Sequence, residues 1–139
     1  MIGAVHASIG ASIGSFFNSR PAAFAAGVLS HLVADALPHK DFCPAVEAPL
    51  LLGAMSGIAV WKGLDSPEFW GALGAVSPDF EHALLVAGII RAEQEVFPTH
   101  IGNGKWHGVR NDERWSQFFL VVAALAVVAL NTEDRGADK

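Results

Sequence analysis

Apolar residues gather into five long stretches of this chain, separated by polar clusters that carry Pro or Gly. The first, Val5 to Phe17, has small residues (Ala7, Gly10, Ala11, Gly14) recurring at helical spacing. "NSRP" predicts a turn, and Pro21 is well placed to open a second helix that runs to about Leu37. Pro38 stops it, because proline disfavours helical geometry in the residue before it. A third helix is predicted from about Val46 to Trp61. Asp65 or Ser66 caps a fourth that starts near Pro67. The internal Pro78 predicts that this helix is kinked or split there, resuming as "DFEHALLVAGIIRAEQEV". A long polar connection, "FPTHIGNGKWHGVRNDER", leads to a fifth helix, Trp115 to Leu130.

No window alternates strictly as a half-buried strand does, so the expected class is all-α. Short connections favour an up-down bundle of about five helices. Residues 1–130 read as a single domain, with 131–139 as a polar, fraying tail.

Composition then raises the question of solvent. Hydrophobic residues make up 52% of the chain and charged residues 17%, with no tyrosine. Gly10/Gly14 and Gly53/Gly57 are G-x-x-x-G pairs of the kind that let helices approach closely in lipid. Trp61, Trp70, Trp106 and Trp115 fall near predicted helix ends, where interfacial aromatics sit. Against this, the longest apolar run, Phe118 to Leu130, is shorter than the roughly 20 residues a spanning helix needs. Positive charges are also nearly balanced between the two ends of the bundle. These features favour a membrane-embedded or membrane-associated bundle, the alternative being a soluble, cytoplasmic one with an Ala-rich core. The first basic residue is Arg20, so no signal peptide is expected and the chain reads as unprocessed, facing the cell interior or within its inner membrane.

A net charge of −5 without a basic stripe argues against nucleic acid as a partner. The lone Cys43 excludes an internal disulfide and a cysteine-type zinc ribbon, and reads as a small buried residue.

The histidines carry the chemistry. His31 and Asp35 are four apart and share a helix face, with His39 and Asp41 just beyond Pro38. Asp79 and His82 share a face of helix four, with Glu81 between them. In an up-down bundle, His6, His31, Asp35, His39, Asp79 and His82 fall at one end or in the half leading to it. The connection holding His100 and His107 falls there too. Imidazole and carboxylate in such numbers suit a zinc, manganese or iron site, and exceed what one ion uses, so one ion or two are expected. Glu81 and Glu47 are candidates for a general base or for supporting the ligands. Taken singly, most of these residues equally fit hydrogen-bonded core or solvated positions.

Two segments resemble a known group. "GVLSHLVADALPHKD" resembles the G-x-x-S-H-x-x-x-D segment of a bacterial inner-membrane family of metal-dependent hydrolases. "GAVSPDFEH" is similar to that family's G-x-L-x-P-D-x-D-H segment, with Glu81 at the second acidic position. The family's H-R-G-x-T-H-S element is absent, and "FPTHIGNGKWHG" offers His100 and His107 at a different spacing. The His-x-x-x-Asp pair is also similar, more weakly, to the zinc-dependent phospholipase C and single-strand nuclease superfamily. The resemblance implies His31, Asp35, Asp79 and His82 as ligands, and hydrolysis of a phosphoester, with a small-molecule or lipid-derived substrate. Two alternatives stand beside it: a non-catalytic metal-binding or structural membrane protein, and a metal-free soluble bundle.

Overall fold

A computed structural model describes residues 1–97 and 115–137, with side chains as far as Asn131. Among the described residues there are five α-helices and no strand: α1 (Gly3–Gly14), α2 (Arg20–Asp35), α3 (Pro44–Lys62), α4 (Pro67–Val86) and α5 (Trp115–Ala137). A 3-10 turn, Ala92–Gln94, follows α4. The all-α expectation holds.

Local signals set most of the ends. Pro residues sit in the first turns of α2, α3 and α4, where a missing N–H costs nothing. Ser66 caps α4, its Oγ accepting from the Phe69 N–H at 3.0 Å. Two boundaries differ from the sequence expectation. Helix α4 ends at Val86 because Gly88 takes φ +72°, open to glycine, and the Gly88 and Ile89 amides close back onto Leu85 and Leu84 carbonyls. Helix α5 continues through the polar tail to Ala137, since no proline interrupts it.

Helix α4 is also unbroken at Pro78, where a kink or split was expected. The proline removes one ladder bond, but its ring is fully buried. Helix α4 packs along both α1 and α2, and that contact supports the helix across the missing bond.

Helices α1, α2 and α4 form the centre, and they touch backbone to backbone. A methyl group added at Gly10 or Gly27 would overlap the Gly71 carbonyl. Gly10 and Gly14 of the first G-x-x-x-G pair are therefore used within the fold, against Gly71 and Pro67 of α4. Gly53 and Gly57 face open space. Helices α3 and α5 lie outside this trio, both against α1. The directions are up-down: Gly10 meets Gly71 and Gly14 meets Pro67, so α1 and α4 run antiparallel.

The burial pattern is inverted relative to an ordinary soluble core. The interior holds Ala7, Ala11, Ala23, Ala72 and Ala75 together with His6, His31, Asp35 and His39. Large apolar side chains, among them Leu29, Val33, Leu52, Val60 and Phe119, face outward. Helix α3 is long and apolar enough to cross a membrane, and 6% of its apolar window is buried. Cys43, expected to be buried, is exposed at the N-cap of α3.

Candidate metal centre

The antiparallel pairing of α1 with α2 brings the start of one to the end of the other, and this places His6 beside Asp35. His6 Nε2 lies 2.9 Å from Asp35 Oδ1, and His31 Nε2 lies 3.1 Å from Asp35 Oδ2. The two imidazoles stack with ring centres 4.0 Å apart. Helix α4 adds Asp79, whose Oδ1 is 3.8 Å from His31 Nε2. His6, His31 and Asp79 each offer one donor atom, and the three atoms lie within 4.8 Å of one another.

The orientation of His31 follows from its second nitrogen. Nδ1 is 2.7 Å from the Ala75 carbonyl oxygen, which only accepts, so Nδ1 carries the proton. Nε2 is thereby turned toward Asp35 and Asp79. His39, just past Pro38, is held the same way: its Nδ1 donates to the Leu37 carbonyl at 2.7 Å. His39 Nε2 faces Asp41 Oδ1 at 3.3 Å and the Met1 nitrogen at 2.5 Å. The Met1 nitrogen donates in turn to Asp35 Oδ1 at 2.9 Å. Asp35 is thus the meeting point of the whole cluster.

Burial sets the protonation pattern. His6 is pushed down to about 4, mainly by desolvation, although its hydrogen bond to Asp35 opposes this. Desolvation also acts against charge on His31, but the hydrogen bond to Asp35 and the field of Asp79 outweigh it and hold His31 above the usual histidine range. Burial would raise Asp35, yet its bonds from His31 and His6 hold it well below the ordinary carboxylate range. Asp79 is pushed up to about 6, first by burial and then by the negative charge of Asp35, against the pull of His31.

The donor set fits a divalent ion. Atoms about 2.0–2.1 Å from a tetrahedral zinc lie about 3.3 Å from each other. His31 Nε2 and Asp79 Oδ1 are 3.8 Å apart and all three donors lie within 4.8 Å, so small side-chain movements would close them on an ion. His6 Nδ1 is buried with no hydrogen-bond partner among the described residues, so its imidazole is committed only on the Asp35 side.

Of the residues expected from sequence, His6, His31, Asp35 and Asp79 come together, and His39 joins them through Asp35 and Met1. His82 is not one of the three donors gathered within 4.8 Å, and its Nδ1 lies 3.6 Å from Glu95 Oε1. Glu81, expected as a catalytic group, spends both oxygens on backbone, accepting from the Val96 and Phe97 amides at 2.8 and 2.9 Å. Glu47 accepts from the Phe42 amide at 2.7 Å. His100, His107 and Trp106 lie outside the described residues. Sequence reasoning did not assign Asp41 a role, although its place two residues after His39 was a usable signal. Nothing in the pattern pointed to the Ala75 carbonyl or to Gln117, which is buried and ties Ile2 to Lys40.

No family model, curated protein or solved structure matches this chain.

Proposed function

We propose that this chain is a metal-dependent hydrolase of phosphoesters, anchored at a membrane by α3. The observation that carries the reading is the convergence of His6, His31 and Asp79, from three different helices, on one point beside the buried carboxylate of Asp35. His and Asp donors suit zinc first, with manganese or iron as alternatives. His6, His31 and Asp79 would hold the ion. When bound, it supplies Lewis-acid polarisation of a phosphoryl oxygen and a lowered pKa for a water molecule.

The chain's own groups supply the rest. Ala75 orients His31 through Nδ1, as outer groups commonly fix histidine ligands, and Asp35 lies beside the Nε2 atoms of both imidazoles, on the side the ion would take. Asp79 alone among the four is partly open, its side chain 31% exposed, so the side of the cluster on which it stands is where substrate would enter. That exposure favours a catalytic site over a purely structural one, which is closed. Asp79, pushed up to about 6 in the metal-free fold, would give up that proton when it takes the ion. The phosphoester class rests on the similarity of the His31-x-x-x-Asp35 pair to the zinc-dependent phospholipase C and single-strand nuclease superfamily. Membrane anchoring is supported by α3: 19 residues at about 1.5 Å each span about 28 Å, close to the roughly 30 Å hydrocarbon core.

Elemental analysis of purified protein beside His31→Ala tests this reading. A stoichiometric divalent metal in the wild type, with less of it in the variant, is the expected result. It should come with hydrolysis of a generic phosphodiester or phosphomonoester that chelation abolishes. Wild-type protein without metal would overturn the proposal, as would a His31→Ala variant that holds as much metal as the wild type.

A further inference from the structure

Resting on that reading, we propose that the cluster holds a second cation, bound by His39 Nε2, Asp41 Oδ1 and Asp35 Oδ1. Asp35 would be shared between the two ions.

Three acceptor atoms already converge on one electropositive atom at this place. The Met1 nitrogen stands 2.5 Å from His39 Nε2, 2.9 Å from Asp35 Oδ1 and 3.3 Å from Asp41 Oδ1. His39 Nε2 and Asp41 Oδ1 are 3.3 Å apart, about the edge expected between two ligands of one tetrahedral zinc. His39 is 2% exposed, and its bond to the Leu37 carbonyl fixes the proton on Nδ1, leaving the Nε2 lone pair facing inward. A histidine oriented by a backbone carbonyl through one nitrogen is the arrangement that metal ligands use. His31 shows the same arrangement against Ala75 on the other side of Asp35.

Asp35 is the natural bridge. Its Oδ1 is 2.9 Å from both the Met1 nitrogen and His6 Nε2, and its Oδ2 is 3.1 Å from His31 Nε2. One carboxylate therefore faces both donor groups. Once the Met1 ammonium is displaced, the three carboxylates Asp35, Asp41 and Asp79 carry more negative charge than one divalent ion neutralises. A second ion brings the cluster to net positive charge, which suits an anionic phosphoester. An ion in this position takes over the role that the Met1 nitrogen has here, and the nitrogen moves aside.

The test is a titration of the metal-free full-length chain with Zn²⁺ and with Co²⁺, followed by elemental analysis after desalting. The wild type should take two equivalents, and the Co²⁺ pair should show magnetic coupling by EPR through the shared carboxylate. Asp41→Asn, at a half-exposed position where the fold tolerates change, and His39→Gln should each take one equivalent. Saturation of the wild type at one equivalent, lost in His31→Ala, would overturn the second site and leave the first intact. Two equivalents retained by both Asp41→Asn and His39→Gln would also overturn it. A wild type that binds no ion would remove both proposals.

Discussion

The His31 imidazole is pinned by the Ala75 carbonyl, 2.7 Å from its Nδ1, and Ala75 lies one helical turn before Asp79 on α4. The helix that supplies the partly open carboxylate Asp79 therefore also aims the imidazole that faces it. Close approach of α2 to α4 at Gly27 and Gly71 is what allows this bond to form. Packing and site geometry are one feature here.

His31→Ala and Asp79→Asn should both weaken metal binding, for different reasons. His31→Ala removes a donor and the Ala75 bond together. Asp79→Asn keeps the shape but loses the charge of the only partly exposed member. Affinity should fall on the order of 100-fold or more in each, the upper end of what losing even a supporting group costs. Competition with a chromophoric chelator measures this, with far-UV circular dichroism as the check on folding.

Asp35→Asn should be the most destabilising single change in the metal-free cluster. Asp35 is fully buried and faces His6, His31 and the Met1 nitrogen, so an amide puts N–H groups against donors and leaves positive charge uncompensated. Breaking a buried pair from one side costs about 3–5 kcal/mol. Denaturant unfolding of wild type and variant in chelator checks it, and a loss below about 1 kcal/mol would contradict the buried geometry.

Metal affinity should climb with pH, because protons occupy the same atoms. Asp79 is raised to about 6 and His31 lies above its ordinary 6.5, so at pH 5 both are protonated in the metal-free fold. His6, lowered to about 4, is already neutral and releases no proton. Between pH 5 and 6 two protons must leave, and affinity should rise up to roughly 100-fold per unit. Above the Asp79 value the slope should fall to that of His31 alone, and vanish once His31 is neutral. Calorimetry in two buffers of different ionisation enthalpy counts the protons. For the metal-free fold the signs differ by group. His6 and Asp35, both lowered, cost stability as pH falls through about 6.5 and through the carboxylate range respectively. His31, raised, contributes stability below 6.5 that is lost as pH rises through its folded value.

Glu81→Ala should loosen the segment after α4 and leave the metal in place. Both carboxylate oxygens take backbone amides, Val96 and Phe97, so the loss is about 1 kcal/mol per bond and local. Hydrogen exchange at those two amides should quicken while metal stoichiometry stays unchanged. Loss of hydrolysis with exchange unaltered would return Glu81 to a catalytic role.

Much of this cluster was legible before any coordinates, because helical spacing is local. His31 and Asp35 share a face by their four-residue interval, and up-down topology alone brings His6 to the end of α2. What could not be read depends on how closely helices approach. The Ala75 carbonyl reaches His31 because two glycines remove the side chains between α2 and α4. His82 was grouped with Asp79 by its three-residue interval, but three residues turn about 300° rather than a full circle, enough here to pair it with Glu95 instead. The membrane signal was spread likewise: α3 became a candidate span once Pro44 and Lys62 were seen to lie within the helix.

The two G-x-x-x-G pairs should separate sharply under substitution. Gly71→Ala, and its partners Gly10→Ala and Gly27→Ala, place a methyl group against backbone that cannot yield without parting the helices. Overpacking of this kind costs about 1–3 kcal/mol. Separation of α2 from α4 should also stretch the His31–Ala75 bond, so metal affinity falls alongside stability. Gly57→Ala on α3 meets nothing within 4 Å and should be neutral, or more stable by up to about 1 kcal/mol, through helix propensity. Thermal melts of the four variants, paired with metal titration, decide the matter. Equal effects at Gly57 and Gly71 would mean that α3 is covered by a partner through that face. Neutral behaviour at Gly71 would contradict the close α2–α4 contact on which the site is built.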